Sequence, residues 1–415
     1  MYPRRRRRLL PRLLWLISSV VLYFLIFGLP SPPPTTNNNR ADKKAPDYDV
    51  ESTPRYLYRS SFRSDPDLSY EKNVSDALVA IETAVRQARK GDDTAQQHIW
   101  QIHLGRHKSQ RGQDSLLFQQ VNRDQWDYSL VTTLYAKTFI NTVFASVPEL
   151  QTLYKSYPHH VLRADLLRYL LLWYYGGFYA DTDAFPARPI ANCPALLPFF
   201  DANDTPQAHS LVLGVEIDEP HASAQLKRDW HWSRSYGFGQ YTMFAPRRFS
   251  PILREAIVRV LSHTRQHRQR HGGVLGAEPA YDESTILEVT GPGVFTDAVI
   301  DVLSRTLAPT HWLVQRSVAA DEGIGDLAGE EGGSGSRRVT WAPFHEMRDP
   351  LCVGEGEGEG EGADGGHGGL CVLPVSVWGN GQRHSSAEGF GSAQACVNHR
   401  FGRVWKKGWW EYLFG

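Results

Sequence analysis

Charge is what this chain has none of in sum: 45 Lys and Arg against 45 Asp and Glu over 415 residues give a formal net charge of zero. Nothing in that balance favours a polyanion, so nucleic acid is not an expected partner. Cysteine is scarce as well, and the four residues Cys193, Cys352, Cys371 and Cys396 stand at no zinc-ligand spacing. A structural zinc module is therefore excluded. Their even number suits pairing in an oxidising compartment. Cys352 and Cys371 are the expected pair because they bracket a low-complexity segment, with free buried thiols as the alternative. Long apolar runs are nearly missing too. The closing "WKKGWWEYLFG" is too short and too charged to cross a bilayer.

The one run present is Leu13 to Leu29, behind six arginines in the first twelve residues. As a helix it would span about 25 Å, a short membrane crossing. The following "FGLPSPPP" offers no small-residue cleavage site, which favours a signal anchor over a removed leader. The basic cluster stays cytosolic by the positive-inside rule, so a single-pass type II protein with a lumenal body is expected. So short a span suits the thinner membranes of the Golgi or endoplasmic reticulum. A glycosylation sequon at Asn73-Val74-Ser75, and a weaker one at Asn203 before Pro206, agree with that.

Composition divides the chain into a basic tail (1–12), the anchor (13–29), a Pro, Asn, Ser and Asp-rich stem (30–95) and a folded domain (96–415). The stem ends in an amphipathic stretch near Val74 to Ala88. From "QQHIWQIHLG" onward strand and helix patterns alternate, an α/β plan. Residues 323–369, with "GEGEGEGEGADGG" near their end, read as a largely disordered insertion in which only "VTWAPF" can dock.

The chemistry concentrates in "RADLLRYLLLWYYGGFYADTD". Leu162, Leu166, Leu170 and Trp173 recur at helical steps, and the glycine pair stands where a helix ends in a left-handed residue. Asp165 and Arg168 share one face of this greasy helix, as a tethering ion pair or as ligand contacts. "FYADTD" then reads as a strand whose Asp181 and Asp183 point one way at its C-terminal end, where open α/β sheets bind ligands. Two adjacent carboxylates repel unless a cation lies between them, and hard oxygen ligands suit manganese or magnesium. Such an ion could hold a diphosphate leaving group and stabilise its developing charge.

This region strongly resembles the sugar-binding segment of the family 32 glycosyltransferases, a DXD-motif family that includes fungal initiation-specific α-1,6-mannosyltransferases. "HIWQI", "LVLGVEID", "GQYTMFAPRRFSPIL", "LEVTGPGVFTDAVIDVL" and "VNHRFGRVWKKGWW" resemble further family blocks, in order. The resemblance implies a GT-A fold, a nucleotide-sugar donor such as GDP-mannose, Mn2+ or Mg2+ dependence, a glycan or glycoprotein acceptor and retention of the anomeric configuration. By it, Asp165, Arg168 and Tyr169 meet the donor sugar, Asp181 the ribose or metal and Asp183 the metal. Trp100 and Gln101 border the base, Thr290 and Gly291 form a loop over the donor or acceptor, and His399 is a third metal or diphosphate ligand. Retention requires no dedicated protein base, since the leaving phosphate can take the acceptor proton; Glu216 and Asp297 are the carboxylates to test first.

Two other enzymes compete with this reading. A mannosyltransferase acting on inositol phosphoceramide is the nearer one, and such enzymes tend to carry a further C-terminal span. A D-x-D-x-T hydrolase would need threonine where Phe185 stands. An inactive lumenal sugar-binding homologue would be expected to lack one of Asp165, Arg168, Asp181 and Asp183.

Overall fold

The computed structural model describes residues 49–105, 112–200, 209–271, 279–327, 337–357 and 366–400. The expected basic tail and anchor, the first part of the stem, the Asn203 sequon and the block from Phe401 on lie outside them. Among the described residues no helix is long and apolar enough to cross a membrane.

Nine strands are named in chain order: β1 (His98–Ile102), β2 (Asp127–Val131), β3 (Gly177–Ala180), β4 (Ala184–Pro186), β5 (Leu211–Asp218), β6 (Tyr236–Ala245), β7 (Leu351–Val353), β8 (Leu370–Leu373) and β9 (Val397–His399). Seven form one sheet in the order β2-β1-β3-β6-β5-β8-β7, and β4 pairs with β9 in a small second sheet. β1 runs parallel to β2 and β3, and β5 parallel to β8, while β6 opposes both β3 and β5. Hence β1, β2, β3, β5 and β8 all point one way and end on one edge. Crossovers cover both faces of such a sheet, which is why its strands read as continuous apolar runs. Neighbouring residues fall into opposite cores: Phe178, Val212 and Phe244 into one, Tyr179, Leu213 and Met243 into the other.

Five helices carry the argument: α1 (Leu68–Ala88), α2 (His160–Tyr175), α3 (Pro251–His271), α4 (Glu283–Val289) and α5 (Pro292–Thr306). In α2 Leu162, Leu166, Leu170 and Trp173 are fully buried, and so are Leu167, Leu171 and Leu172. A helix apolar all round belongs inside a large domain. Each such leucine contributes about 2 kcal/mol of burial.

Two expectations need correction. The chain from Asp49 to Ala95 is part of the body rather than a spacer. Helix α1 starts at Leu68, capped by the Asp67 carboxylate on the Tyr70 amide at 2.9 Å, and lays Tyr70, Val74 and Leu78 on the core. Glu82 then reaches Arg254 of α3 at 3.1 Å. Only Tyr70, Val74 and Leu78 of its apolar residues are buried, with Ala77, Ile81 and Val85 partly covered beside them among many charged and polar residues, so composition alone resembled a stem. Within 323–369, the described residues 337–357 are also folded. Val339, Trp341 and Phe344 are fully buried, and Arg337 pairs with Asp301 at 2.6 Å. "VTWAPF" does dock. Both disulfides form, Cys352 to Cys371 as expected, across the β7–β8 register, and Cys193 to Cys396.

Candidate functional site

Helix α2 stops at a diglycine that no other residue could replace. Gly176 and Gly177 hold φ of 69° and 93°. A Cβ on the first would sit 2.4 Å from Ala95 Cβ, and one on the second 2.5 Å from the His98 carbonyl oxygen. Only glycine tolerates both the left-handed backbone and the crowding. The chain leaves as β3, pinned between β1 and β6.

β3 ends at Ala180, so Asp181 and Asp183 stand in the turn beyond it, closed by the Ala184 amide donating to the Asp181 carbonyl at 3.1 Å. That turn is fixed from several sides. The Asp181 amide donates to Tyr241 O at 2.8 Å, Gln101 Nε2 donates to Asp181 O at 2.9 Å, and Tyr179 OH donates to Asp181 Oδ1 at 2.5 Å. Residues 184–186 continue as β4, whose Ala184 is the register partner of His399 on β9. His399 Nε2 thereby comes within 3.1 Å of Asp183 Oδ1. One ligand atom each from Asp181, Asp183 and His399 lies within 4.8 Å of the others. Two carboxylates and an imidazole, the aspartates partly open and the histidine buried, make a donor set that fits manganese or magnesium.

Asp165 and Arg168 lie beside this cluster. The Arg168 guanidinium pairs with Asp165 at 2.9 Å and Asp181 at 3.3 Å and sits 5.1 Å over the Tyr179 ring. The tethering pair and the reach toward the aspartate cluster are thus one arrangement. Asp165 also accepts from Thr290 Oγ1 at 2.8 Å and Gln240 Nε2 at 3.3 Å. Arg168 Nε is buried without a hydrogen-bond partner. An orphaned buried donor is costly unless a ligand meets it, which fits a sugar hydroxyl or phosphate oxygen at this point.

The electrostatics follow from burial and pairing. Burial pushes the Asp165 carboxyl up to about 6, against the pull of Arg168 and Thr290. Burial likewise raises Asp181, again opposed by Arg168. For Asp183 burial acts upward, but the hydrogen bond and charge of His399 outweigh it and the carboxyl is lowered. His399 mirrors this: burial disfavours its cation, Asp183 favours it more, and the imidazole is raised. A proton on His399 and a cation at the cluster are alternatives, so metal binding should release protons.

Other residues expected at the site lie one layer beneath it. Trp100 is buried, donates from Nε1 to Gly176 O at 3.0 Å and stacks on Tyr175. Gln101 is fully buried, and its Oε1 accepts from Ser115 at 2.7 Å and Tyr128 at 2.9 Å. Tyr169 donates to Gln240 Oε1 and stacks on Phe295. Thr290 and Gly291 form the buried turn between α4 and α5, with Thr290 bracing Asp165. Of these, Gln101 and Thr290 brace Asp181 and Asp165 directly. Asp297 is buried against Arg234 at 2.9 Å and Arg337 at 3.4 Å, a structural network. Trp230 and Trp232 stack on each other, with His384 edge-on to both.

Gln240 was missed by sequence reasoning. It touches Asp165 through Nε2, accepts from Arg168 at its carbonyl and binds Tyr169. The available signal was a lone amide in "YGFGQYTMFA", a strand otherwise built to be buried. Glu216, near the C-terminal end of β5, feels the charges of this cluster. Burial pushes its carboxyl up to about 7, with His399 and Arg168 lowering it and Asp181 raising it.

Comparison with known proteins agrees with this geometry. The family description "Glycosyltransferase sugar-binding region containing DXD motif" matches residues 107–200. The chain is 24% identical over 319 residues to the initiation-specific alpha-1,6-mannosyltransferase of Candida albicans, covering 74% of this chain and 71% of that one. To its namesake in Saccharomyces cerevisiae it is 22% identical over 361 residues, covering 68% and 71%. A shorter match, 38% identical over 73 residues, covers 17% of this chain and 20% of inositol phosphoceramide mannosyltransferase 3 of Schizosaccharomyces pombe.

Proposed function

From its membership of the glycosyltransferases with a DXD-containing sugar-binding region, we infer that this hexosyltransferase moves mannose from GDP-mannose onto a glycan acceptor. Retention of configuration, a GT-A type of donor site and manganese dependence belong to the same reading. So does residence as a single-pass type II protein of the Golgi membrane, in keeping with the two disulfides.

The observation that carries it is the contact of Arg168 with both Asp165 and Asp181, beside the convergence of Asp181, Asp183 and His399. Asp181, Asp183 and His399 would hold the cation, which when bound supplies Lewis-acid stabilisation to the departing diphosphate. Arg168, oriented by Asp165 and Gln240, presents its unpaired Nε as a donor to the sugar or its phosphate. Tyr179 and Gln101 keep the Asp181 turn from moving as charge develops. Preorganised donors of this kind act strongly because they need no rearrangement during reaction.

The test is a donor screen on the purified protein, reading GDP or UDP release with and without manganese. GDP release from GDP-mannose that requires the metal is the expected result. Turnover that survives EDTA refutes the cation's role, and activity with UDP-sugars alone refutes mannosyl transfer.

A further inference from the structure

The carboxylate of Glu216 has its hydrogen-bonding capacity unused. No donor and no ion-pair partner among the described residues meets it, although it feels the charges of His399, Asp181 and Arg168. Its direction is set by the backbone. The β5–β6 register skips between Val215 and Ile217, a bulge that takes Glu216 out of simple alternation, and Gln382 Nε2 fixes its carbonyl at 2.6 Å. Bulges of this sort re-aim a side chain beside active sites.

Beside Glu216 lies Gly239, the register partner of Gly214, whose missing side chain leaves room for the Tyr241 ring. A Cβ there would lie 3.5 Å from Glu216 Cβ and 2.9 Å from the Tyr241 ring. The Tyr241 ring packs 4.5 Å from the His399 imidazole, and His399 binds Asp183. Glu216 and Tyr241 thus both border Gly239, and from Tyr241 the contacts run on to His399 and Asp183.

We propose that Glu216 is the acceptor-binding carboxylate, receiving a hydrogen bond from the attacking hydroxyl of a saccharide and fixing it beside Arg168 and Asp181. The inference rests on the transferase reading above. A partly buried carboxylate with no donors pays a desolvation cost that a ligand's hydroxyls would repay. A fourth metal ligand is a poorer assignment, because Glu216 is not among the residues whose ligand atoms converge with those of Asp181, Asp183 and His399. In the step itself, the acceptor oxygen bonds to the anomeric carbon as that carbon's bond to the phosphate oxygen breaks. The hydroxyl proton leaves with the departing diphosphate, and Glu216 emerges unchanged.

The experiment compares the wild-type chain with Glu216→Gln and Glu216→Ala, using manganese, GDP-mannose and a panel of mannose oligosaccharides. KM for saccharide and for donor are measured separately, with saccharide binding read by saturation-transfer NMR without donor. The expected result is a saccharide KM raised about tenfold or more, a donor KM shifted less than about twofold, and weakened NMR binding, worst for alanine. Equal shifts in both KM values, unchanged saccharide binding in the variants, or no binding to the wild type overturns the inference. Glu216-dependent saccharide binding without GDP-mannose turnover leaves this inference standing and removes the donor reading instead.

Discussion

His399 Nε2 stands 3.1 Å from Asp183 Oδ1, and the contact depends on the short pairing of β9 with β4. The residue after it closes the arrangement, with the Arg400 amide donating to Asp183 O at 3.2 Å and its guanidinium gripping Asp114 at 2.6 Å. The C-terminal strand thus supplies one corner of the candidate metal site.

Removing the other corner should abolish chemistry without unfolding the protein. Asp183→Ala is expected to eliminate manganese-dependent turnover and weaken manganese binding by calorimetry, while the melting temperature moves by about 2 °C or less. Asp183 is partly exposed and its side chain supports no core element. A collapsed fold in this variant would mean that the carboxylate serves structure instead.

Arg168 is a different case, because it is buried between two carboxylates. Arg168→Met strips the buried Asp165 of its charge partner, so the carboxyl either stays charged and unpaired or takes up a proton, a change that typically costs about 3–5 kcal/mol. Urea denaturation should show that loss together with abolished turnover. A variant as stable as the wild type would contradict the burial described here.

The segment from α2 to Asp183 was legible because it obeys local rules. Leu162, Leu166, Leu170 and Trp173 keep helical period, and Gly176 and Gly177 have the positive φ that a helix stop and close packing demand. What local rules cannot show is which polar residue serves a ligand and which serves its neighbour. Trp100 and Gln101 spend their polar atoms on Gly176 and Asp181, partners far away in sequence. The same holds for α1, whose apolar stripe acquires meaning only against α3, and for Trp341, which docks from a glycine-rich stretch.

A chain that begins at Gln96 should fail to fold properly. It loses Tyr70, Val74 and Leu78 from the core, whereas a chain beginning at Asp49 keeps them. Leu78→Ala alone, at a fully buried position, should cost about 2–5 kcal/mol in chemical denaturation. A cooperative, active protein starting at Gln96 would refute the packing of α1.

Acid should weaken the helical layer through Glu255. Burial opposes its ionisation, but Arg259 and Arg305 outweigh that and bring the carboxyl down to about 2 from an ordinary 4.5. A depressed carboxyl contributes stability that is fully present above pH 4.5 and disappears as pH falls toward 2. That contribution is at most about 3 kcal/mol. Glu255→Gln should therefore flatten the acid limb of the stability curve, measured by urea denaturation at stepped pH; an unaltered slope would refute the pairing.

The bridge from Cys193 to Cys396 fastens the strand bearing His399 to the scaffold three residues before that histidine. Material produced in a reducing cytosol would leave that strand held by noncovalent bonds alone. Such a preparation also lacks the Cys352–Cys371 bridge at the β7–β8 edge. The ladder hydrogen bonds of the seven-stranded sheet depend on neither bridge, so it could pass for well folded and still respond poorly to added manganese. Oxidative refolding before assay would then restore activity that a screen of reduced protein records as missing.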